Sequence, residues 1–192
     1  VLKNYQSDIV MGERVWTDET YLKLMPKDLK RDEKGRLLRG LSRNNLCIMT
    51  LTDGTRTVLI ADGTGKPSRK RMRKLIPQIK PGSHMIDDGE KSHGVLVEEL
   101  SLTREIHKTA ETKGLSDKEN PMDLINTVHR FFKRFMKAHG GYLRDELQDW
   151  CNLFSFVLNH HNDIPGAIKD LFEMAVSTRK VIRYRELMSK KP

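Results

Sequence analysis

Two aspartates sit inside or beside apolar runs: Asp18 within VWTDETYLKL (15–24) and Asp88 near the close of SHMIDDG (83–89). Cleaving a phosphodiester at a bound metal pair takes hard oxygen ligands that flank two cations about 4 Å apart, so carboxylates must converge from separate segments. Asp18 inside a strand and Asp88 at a strand end suit that demand. Spacing alone leaves blander readings open, with Asp18 on the solvent face of an edge strand and Asp87-Asp88-Gly89 as an Asx turn. A third contribution comes from the helical stretch that opens at Asn120-Pro121, where Asn126, His129, Arg130, Lys133 and Lys137 share a polar face. An amide oxygen such as that of Asn126 can be a neutral metal ligand, and Lys133, seven residues on and so nearly above it, can hold a phosphate as a point charge. The same face is equally the solvated side of an ordinary amphipathic helix.

Other chemistries find less support. His160-His161 with Cys151 nearby matches no ordinary zinc spacing. Asp62-Gly-Thr-Gly-Lys-Pro lacks the spacing of a P-loop and reads as a turn. Cys151, beside Trp150 and Leu153, reads as core, and no motif supports a Ser or Cys nucleophile.

The elements that must hold these residues follow from periodicity. Residues 15–24 are rich in β-branched and aromatic side chains and read as a strand, followed by the basic loop MPKDLKRDEKGRLLRG. LCIMTL (46–51) and TVLIA (57–61) are joined through Thr52-Asp53-Gly54-Thr55, a strong hairpin signal. Their near-continuous apolar character calls for helices on both faces of the sheet. Residues 68–79 predict a helix with Ser68 at its start and Met72, Leu75, Ile76 and Ile79 at helical spacing, shortened or kinked by Pro77. Its other face carries Arg69, Lys70, Arg73 and Lys74. After KPG (80–82) comes the brief strand toward Asp87 and Asp88, then VLVEEL, too short to assign, then LTREIHK as a further strand.

The clearest helix runs from Asn120-Pro121 to about Lys137, with Ile125, Val128, Phe132 and Phe135 as its apolar stripe and Gly140-Gly141 stopping it. Helices over 143–160 and 166–188 follow. Three strands, a helix, a short strand ending in an acid and a long late helix is the element order of the RNase-H-like α/β fold, one of several α/β arrangements that periodicity allows. The expected sheet is mixed, three antiparallel strands first and then short parallel strands, with helices on its flanks.

Composition narrows the partners. The chain has 192 residues, 35 Lys plus Arg against 26 Asp plus Glu, and a net charge of +9, so its surface should attract polyanions, nucleic acid foremost. Cys47 and Cys151 each sit in an apolar stretch and form no Cys-x-x-Cys pair, so a disulfide framework is not indicated and a reducing compartment is expected. No run of about 18 apolar residues exists, and VLKNYQSDIV has no signal-peptide core, so a soluble, non-secreted protein is expected. The chain opens on Val and reads as a fragment whose N-terminal part is missing.

Taken together, the segments resemble insertion-sequence transposases of the DDE type, in a group whose third acid can be asparagine, within the retroviral-integrase superfamily. VWTDETYLKL is similar to the family's Val-x-x-Asp-Glu-Thr-Tyr strand, and RGLSRNNLCIMTLTD to its Arg-Gly-Leu-Ser stretch and following strand. MIDDG resembles the strand ending in Asp-Gly. LINTVHRFFKRFMKAHGGYLRDELQDWCNLFSF resembles the Asn-x-x-His-x-x-x-Lys helix and the pattern after it, with Asn126, His129 and Lys133 matching position by position. The similarity covers residues 14–159. It departs at His93, where the family often carries tyrosine.

The resemblance implies an RNase-H-like catalytic domain over 14–160, preceded by the tail of a missing region (1–13) and followed by a basic helical extension (161–192). It implies Asp18, Asp88 and Asn126 as ligands of Mg2+ or Mn2+, two ions, with Lys133 completing the catalytic set. His129, Lys133, Arg130, Lys137, Arg69, Lys70, Arg73 and Lys74 would contact DNA, and the 34–43 loop would add non-specific affinity. Expected partners are transposon ends and target DNA, bound by a homodimer or higher oligomer, with no membrane. The expected setting is a bacterial cytoplasm, nucleoid-associated when bound to DNA. The expected reaction is DNA strand cleavage and strand transfer, against the alternatives of a catalytically silent DNA-binding relic or an RNase-H-like nuclease.

Overall fold

The computed structural model describes residues 2–40, 43–139 and 142–177. Among the described residues, five strands form one mixed sheet: β1 (Arg14–Lys23), β2 (Asn45–Thr52), β3 (Thr57–Thr64), β4 (His84–Asp87) and β5 (Thr103–Ile106), in the order β3-β2-β1-β4-β5. The first three pair antiparallel, while β4 runs parallel to β1 and β5 parallel to β4. This is the expected mixed sheet of the RNase-H-like fold. It also removes one alternative for Asp18, because β1 is the central strand and not an edge.

The α-helices among the described residues are α1 (Arg69–Met72), α2 (Gly94–Leu100), α3 (Thr109–Thr112), α4 (Asp123–Ala138), α5 (Leu147–Asn159) and α6 (Ile164–Ser177). Strand alternation sends Val15, Cys47, Met49, Leu51, Val58 and Met85 into one core, shared with Met72, Leu75, Val95 and Leu96 from the α1–α2 region. Leu46, Ile48 and Leu59 enter a second core on the opposite face, closed by Val128, Phe132 and Met136 of α4 and by Leu147, Cys151 and Phe154 of α5. Coverage of both faces explains why β2 is buried along nearly its whole length, as its unbroken apolar run predicts.

Several boundaries differ from the sequence reading. The helix expected over 68–79 is one α-turn, capped by Ser68 Oγ, that tightens into a 3-10 turn (Arg73–Gln78) holding Pro77. Proline has no N–H to donate and displaces the carbonyl one turn back, so the regular ladder stops there. VLVEEL belongs to α2, ended by Ser101 in the left-handed conformation at φ 52°. Asn120 Oδ1 accepts from Met122 N at 2.9 Å, but α4 begins at Asp123, leaving Pro121 in the turn ahead of it. The described part of the last helix is α6, and the remainder of the expected 166–188 helix, like Gly140-Gly141, lies outside the described residues.

The segment ahead of β1 is built into the same body. Gln6 is buried and donates to Leu59 O at 2.9 Å, and Met11 is fully buried and bridges to Ile79. Among the described residues, no helix is long and apolar enough to cross a membrane.

Candidate active site

The parallel register of β1 and β4 brings the two aspartates together. Trp16 stands opposite Ile86, so extending the register by two residues sets Asp88, just past the C-terminal end of β4, beside Asp18 in the middle of β1. Period-two alternation then divides the acids. Asp18 points to the α4 face, whereas Glu19 and Asp87 point to the α2 face.

α4 is fastened over this point by its first turns. Met122 and Ile125 pack with Ile86 and Trp16, and the Trp16 indole N–H donates to Pro121 O at 2.9 Å. The result is a cleft of about 720 Å3 lined by Asp18, Thr20, Tyr21, Asn126, His129, Arg130, Lys133 and Arg134, among others. Five residues expected from sequence, Asp18, Asn126, His129, Arg130 and Lys133, therefore share one cleft, whereas Asp88 is not among its lining residues. Arg134 joins them unforeseen, although it directly follows Lys133. Lys137 is exposed one turn further along α4 and is not among the lining residues.

Asp18 Oδ1 accepts from Glu19 N at 2.8 Å. Burial, reinforced by the charge of Asp88, raises the Asp18 pKa to about 7. Asp88 Oδ1 accepts from Glu90 N at 3.0 Å, and its side chain remains one-third exposed. Each carboxylate thus keeps its second oxygen without a hydrogen bond, in a site where two negative charges repel. A divalent cation held by hard oxygens would relieve that repulsion, so the residues fit such an ion. Asn126, exposed on α4, would add a neutral oxygen.

His129 departs from its expected place on the exposed face. It is 7% exposed, since it follows Ile125 by four residues and precedes Phe132 by three, within the stripe that packs on the sheet. Its Nε2 hydrogen-bonds Thr50 Oγ1 at 3.1 Å and its Nδ1 lies 3.8 Å from Asp18 Oδ2. Burial and the nearby Lys133 charge lower its pKa to about 3, so it is a neutral partner of the site and not a cation presented to DNA.

The basic face of 68–79 also differs from expectation. It lies on the opposite side of the sheet, where Arg69 pairs with Glu98, Arg73 with Glu99 at 2.6 Å and Lys74 with Asp62 at 2.8 Å. Lys70 is exposed on the same segment. The acids that neutralise this face come from α2 and from the end of β3, elements distant in sequence.

Asp87, Asp88 and His93 place one ligand atom each within 4.8 Å of one another, the spacing of a metal cluster. The bonding speaks against all three acting as ligands. Arg104 clasps both oxygens of Asp87, at 2.7 and 2.8 Å, and Gly89 N donates to Oδ1 at 2.6 Å. His93 Nε2 hydrogen-bonds Glu19 Oε1 at 2.7 Å, and Nδ1 lies 3.3 Å from Asp87 Oδ1, in ion-pair contact without a well-aligned hydrogen bond. Burial acts to lower the His93 pKa, yet its close contacts with the carboxylates of Asp87 and Glu19 prevail and raise it to about 10. A metal-ligating imidazole must be neutral. Burial acts to raise the Asp87 pKa, but Arg104 and His93 bring it down to about 2. Asp88 alone of the three keeps a free oxygen.

The Asx-turn reading of this segment also holds in part, since both aspartates accept from a backbone N–H two residues on. Gly89 is required there, at φ 85° with a Cβ position 2.8 Å from Ile106 Cγ2. Sequence reasoning missed Glu19, Asp87, Arg104 and the role of His93. The one signal was the departure from the resembled pattern at His93.

The sequence matches no protein-family model, and no curated protein matches it. Among solved structures, the chain is similar to the HTLV-2 integrase catalytic core domain in complex with magnesium (dimeric form). That likeness has a TM-score of 0.46 and 12% identity, covering 80% of this chain and 90% of that one. It is also similar to a chain of the simian T-cell lymphotropic virus intasome in complex with PP2A regulatory subunit B56 gamma, with a TM-score of 0.44 and 10% identity over 80% of this chain. The chain spans about half the length of that intasome chain, 50% of it being covered. These likenesses are partial, and the chemistry rests on the site's own residues.

Proposed function

We propose that this chain is the catalytic domain of an insertion-sequence DDE-type transposase, which cleaves DNA strands at transposon ends and transfers them to target DNA. The observation that carries the reading is the β1–β4 register that sets Asp88, just past β4, beside Asp18 of β1, whose cleft is also lined by Asn126 and Lys133 of α4. Asp18, Asp88 and Asn126 would hold Mg2+ or Mn2+, two ions in the full reaction. When bound, such ions supply an activated oxygen nucleophile and charge stabilisation at the leaving oxygen.

The protein's own groups have separable tasks. The Asp18 and Asp88 carboxylates bind and orient, and Asn126 adds an oxygen donor with no further charge. Lys133 and Arg134, for which no acid partner exists among the described residues, hold phosphate oxygens along α4, with Arg130 beside them. His129, neutral and hydrogen-bonded to Thr50, packs behind Asp18 and limits its movement. A homodimer or higher oligomer on DNA accompanies this reading, because joining requires two ends held together.

The test is incubation of the protein with labelled transposon-end DNA and Mg2+, beside Asp18→Asn and Asp88→Ala. Cleavage and joining that both variants abolish, with DNA binding retained, is the expected result. Salt-sensitive binding with no Mg2+-dependent product identifies a silent relic instead. Cleavage of RNA–DNA hybrids or junctions without joined products identifies a nuclease.

A further inference from the structure

The β1–β4 ladder stops before it reaches the two acids. Its paired residues end at Trp16 and Ile86, and β4 itself ends at Asp87, so no strand pairing fixes Asp18 against Asp88. Below the acids, on the α2 face, a side-chain bridge begins where the ladder ends. His93 is 0% exposed and lies between Glu19, whose side chain is 6% exposed, and Asp87, which is 0% exposed. Glu19 is the neighbour of Asp18, and Asp87 is the neighbour of Asp88.

We propose that His93 is a positioning residue that sets the spacing of Asp18 and Asp88, by tying Glu19 of β1 to Asp87 of β4 through its two ring nitrogens. The inference rests on the reading of Asp18 and Asp88 as the metal-binding pair. Arg104 completes the tie from β5, clasping Asp87 and donating to Glu90 O at 3.1 Å, so side chains of the three adjacent strands β1, β4 and β5 are joined where β4 ends. Burying an ion bridge gains little over apolar packing, but removing one member strands a charge with no solvent to receive it. Such a bridge holds register, because only one alignment of the strands keeps every member paired. A shift of one strand end against the other would change the distance between the two acids directly, and groups that orient metal ligands without touching the metal tune affinity strongly.

The experiment measures Mn2+ affinity of the purified chain without DNA, by calorimetry or by the free-Mn2+ spin resonance signal, with circular dichroism to establish folding. The unmodified protein is compared with His93→Gln, Glu19→Ala and Glu19→Gln. His93→Gln and Glu19→Ala should weaken Mn2+ binding about 10–100-fold in the folded protein. Glu19→Gln keeps an acceptor for the His93 N–H and should stay near the unmodified value. Folded His93→Gln and Glu19→Ala proteins that bind Mn2+ as the unmodified chain does would overturn the proposal while leaving the metal reading intact. Where His93→Gln fails to fold, Glu19→Ala against Glu19→Gln decides by the same criterion. An unmodified, folded chain that takes up no Mn2+ sinks the metal reading and this inference with it.

Discussion

The two faces of the sheet carry basic segments that look alike in sequence and differ in the folded chain. On the α1 face, Arg69, Arg73 and Lys74 each meet a carboxylate from another element. On the α4 face, Lys133, Arg134 and Lys137 are exposed and meet none among the described residues, and two of them line the cleft that holds Asp18. A count of lysines and arginines therefore does not locate a polyanion surface. What matters is the charge left after the fold has paired its ions, and on that measure the face with the open acids is also the one with open cations.

The largest effect that sharpens this comparison concerns the acids under α4. Metal at Asp18 must displace a proton below pH 7, because burial and Asp88 hold that carboxyl at about 7. Mn2+ affinity should therefore rise about tenfold per pH unit up to that point and level off above it. Without metal the sign for stability is opposite: the folded state keeps the proton between the ordinary 3.8 and about 7, so stability falls as pH rises through that window. His93, on the other face, is raised from 6.5 to about 10, so its contribution is complete below 6.5 and is lost as pH rises through about 10. Denaturant titrations across pH, with and without Mn2+, separate the two. A metal affinity indifferent to pH between 5 and 8, about the range in which Asp18 changes charge, would break the assignment of Asp18.

Next in size is the anchoring of α4. Phe132 is fully buried and packs edge-on against Phe154 at 5.2 Å between ring centroids. Phe132→Ala should cost about 3–5 kcal/mol in urea unfolding, with loss of Mn2+ binding wherever α4 loosens. A loss below about 1 kcal/mol would mean that α4 is held by other contacts.

A smaller effect distinguishes the two basic faces directly. Lys133→Ala should weaken DNA binding and reduce the slope of log affinity against log salt by about 1. Arg73→Ala should leave that slope unchanged, because its charge is already paired with Glu99. Equal slope changes in both variants would erase the distinction between the faces. Smallest of all, Arg73→Ala should change stability by about 0–1 kcal/mol, as for an exposed ion pair.

Legibility in the sequence followed local physics. The β2–β3 hairpin was readable because Asp53-Gly54 needs only its own backbone, with Gly54 at φ 89°. The α4 stripe was readable from spacing, whereas strand context left blander readings open for Asp18 and Asp88, and the resemblance singled them out. His129 was misplaced because a polar type at an apolar position looks exposed until its partner, Thr50, is known to lie 79 residues away. The fates of Asp87 and Asp88, adjacent and chemically identical, were separable only by resemblance. Their difference is that one side chain turns toward Arg104 and His93 and the other toward Asp18.

The amino-acid sequence by itself determined the strands, the hairpin and the main helices, since each depends on propensity or periodicity over a few neighbouring residues. Only the tertiary structure decided which acid stays open, which cations stay unpaired and that Glu19, His93 and Asp87 form one bridge. Those outcomes are set by burial and by charges brought together from distant segments, and no local pattern encodes them.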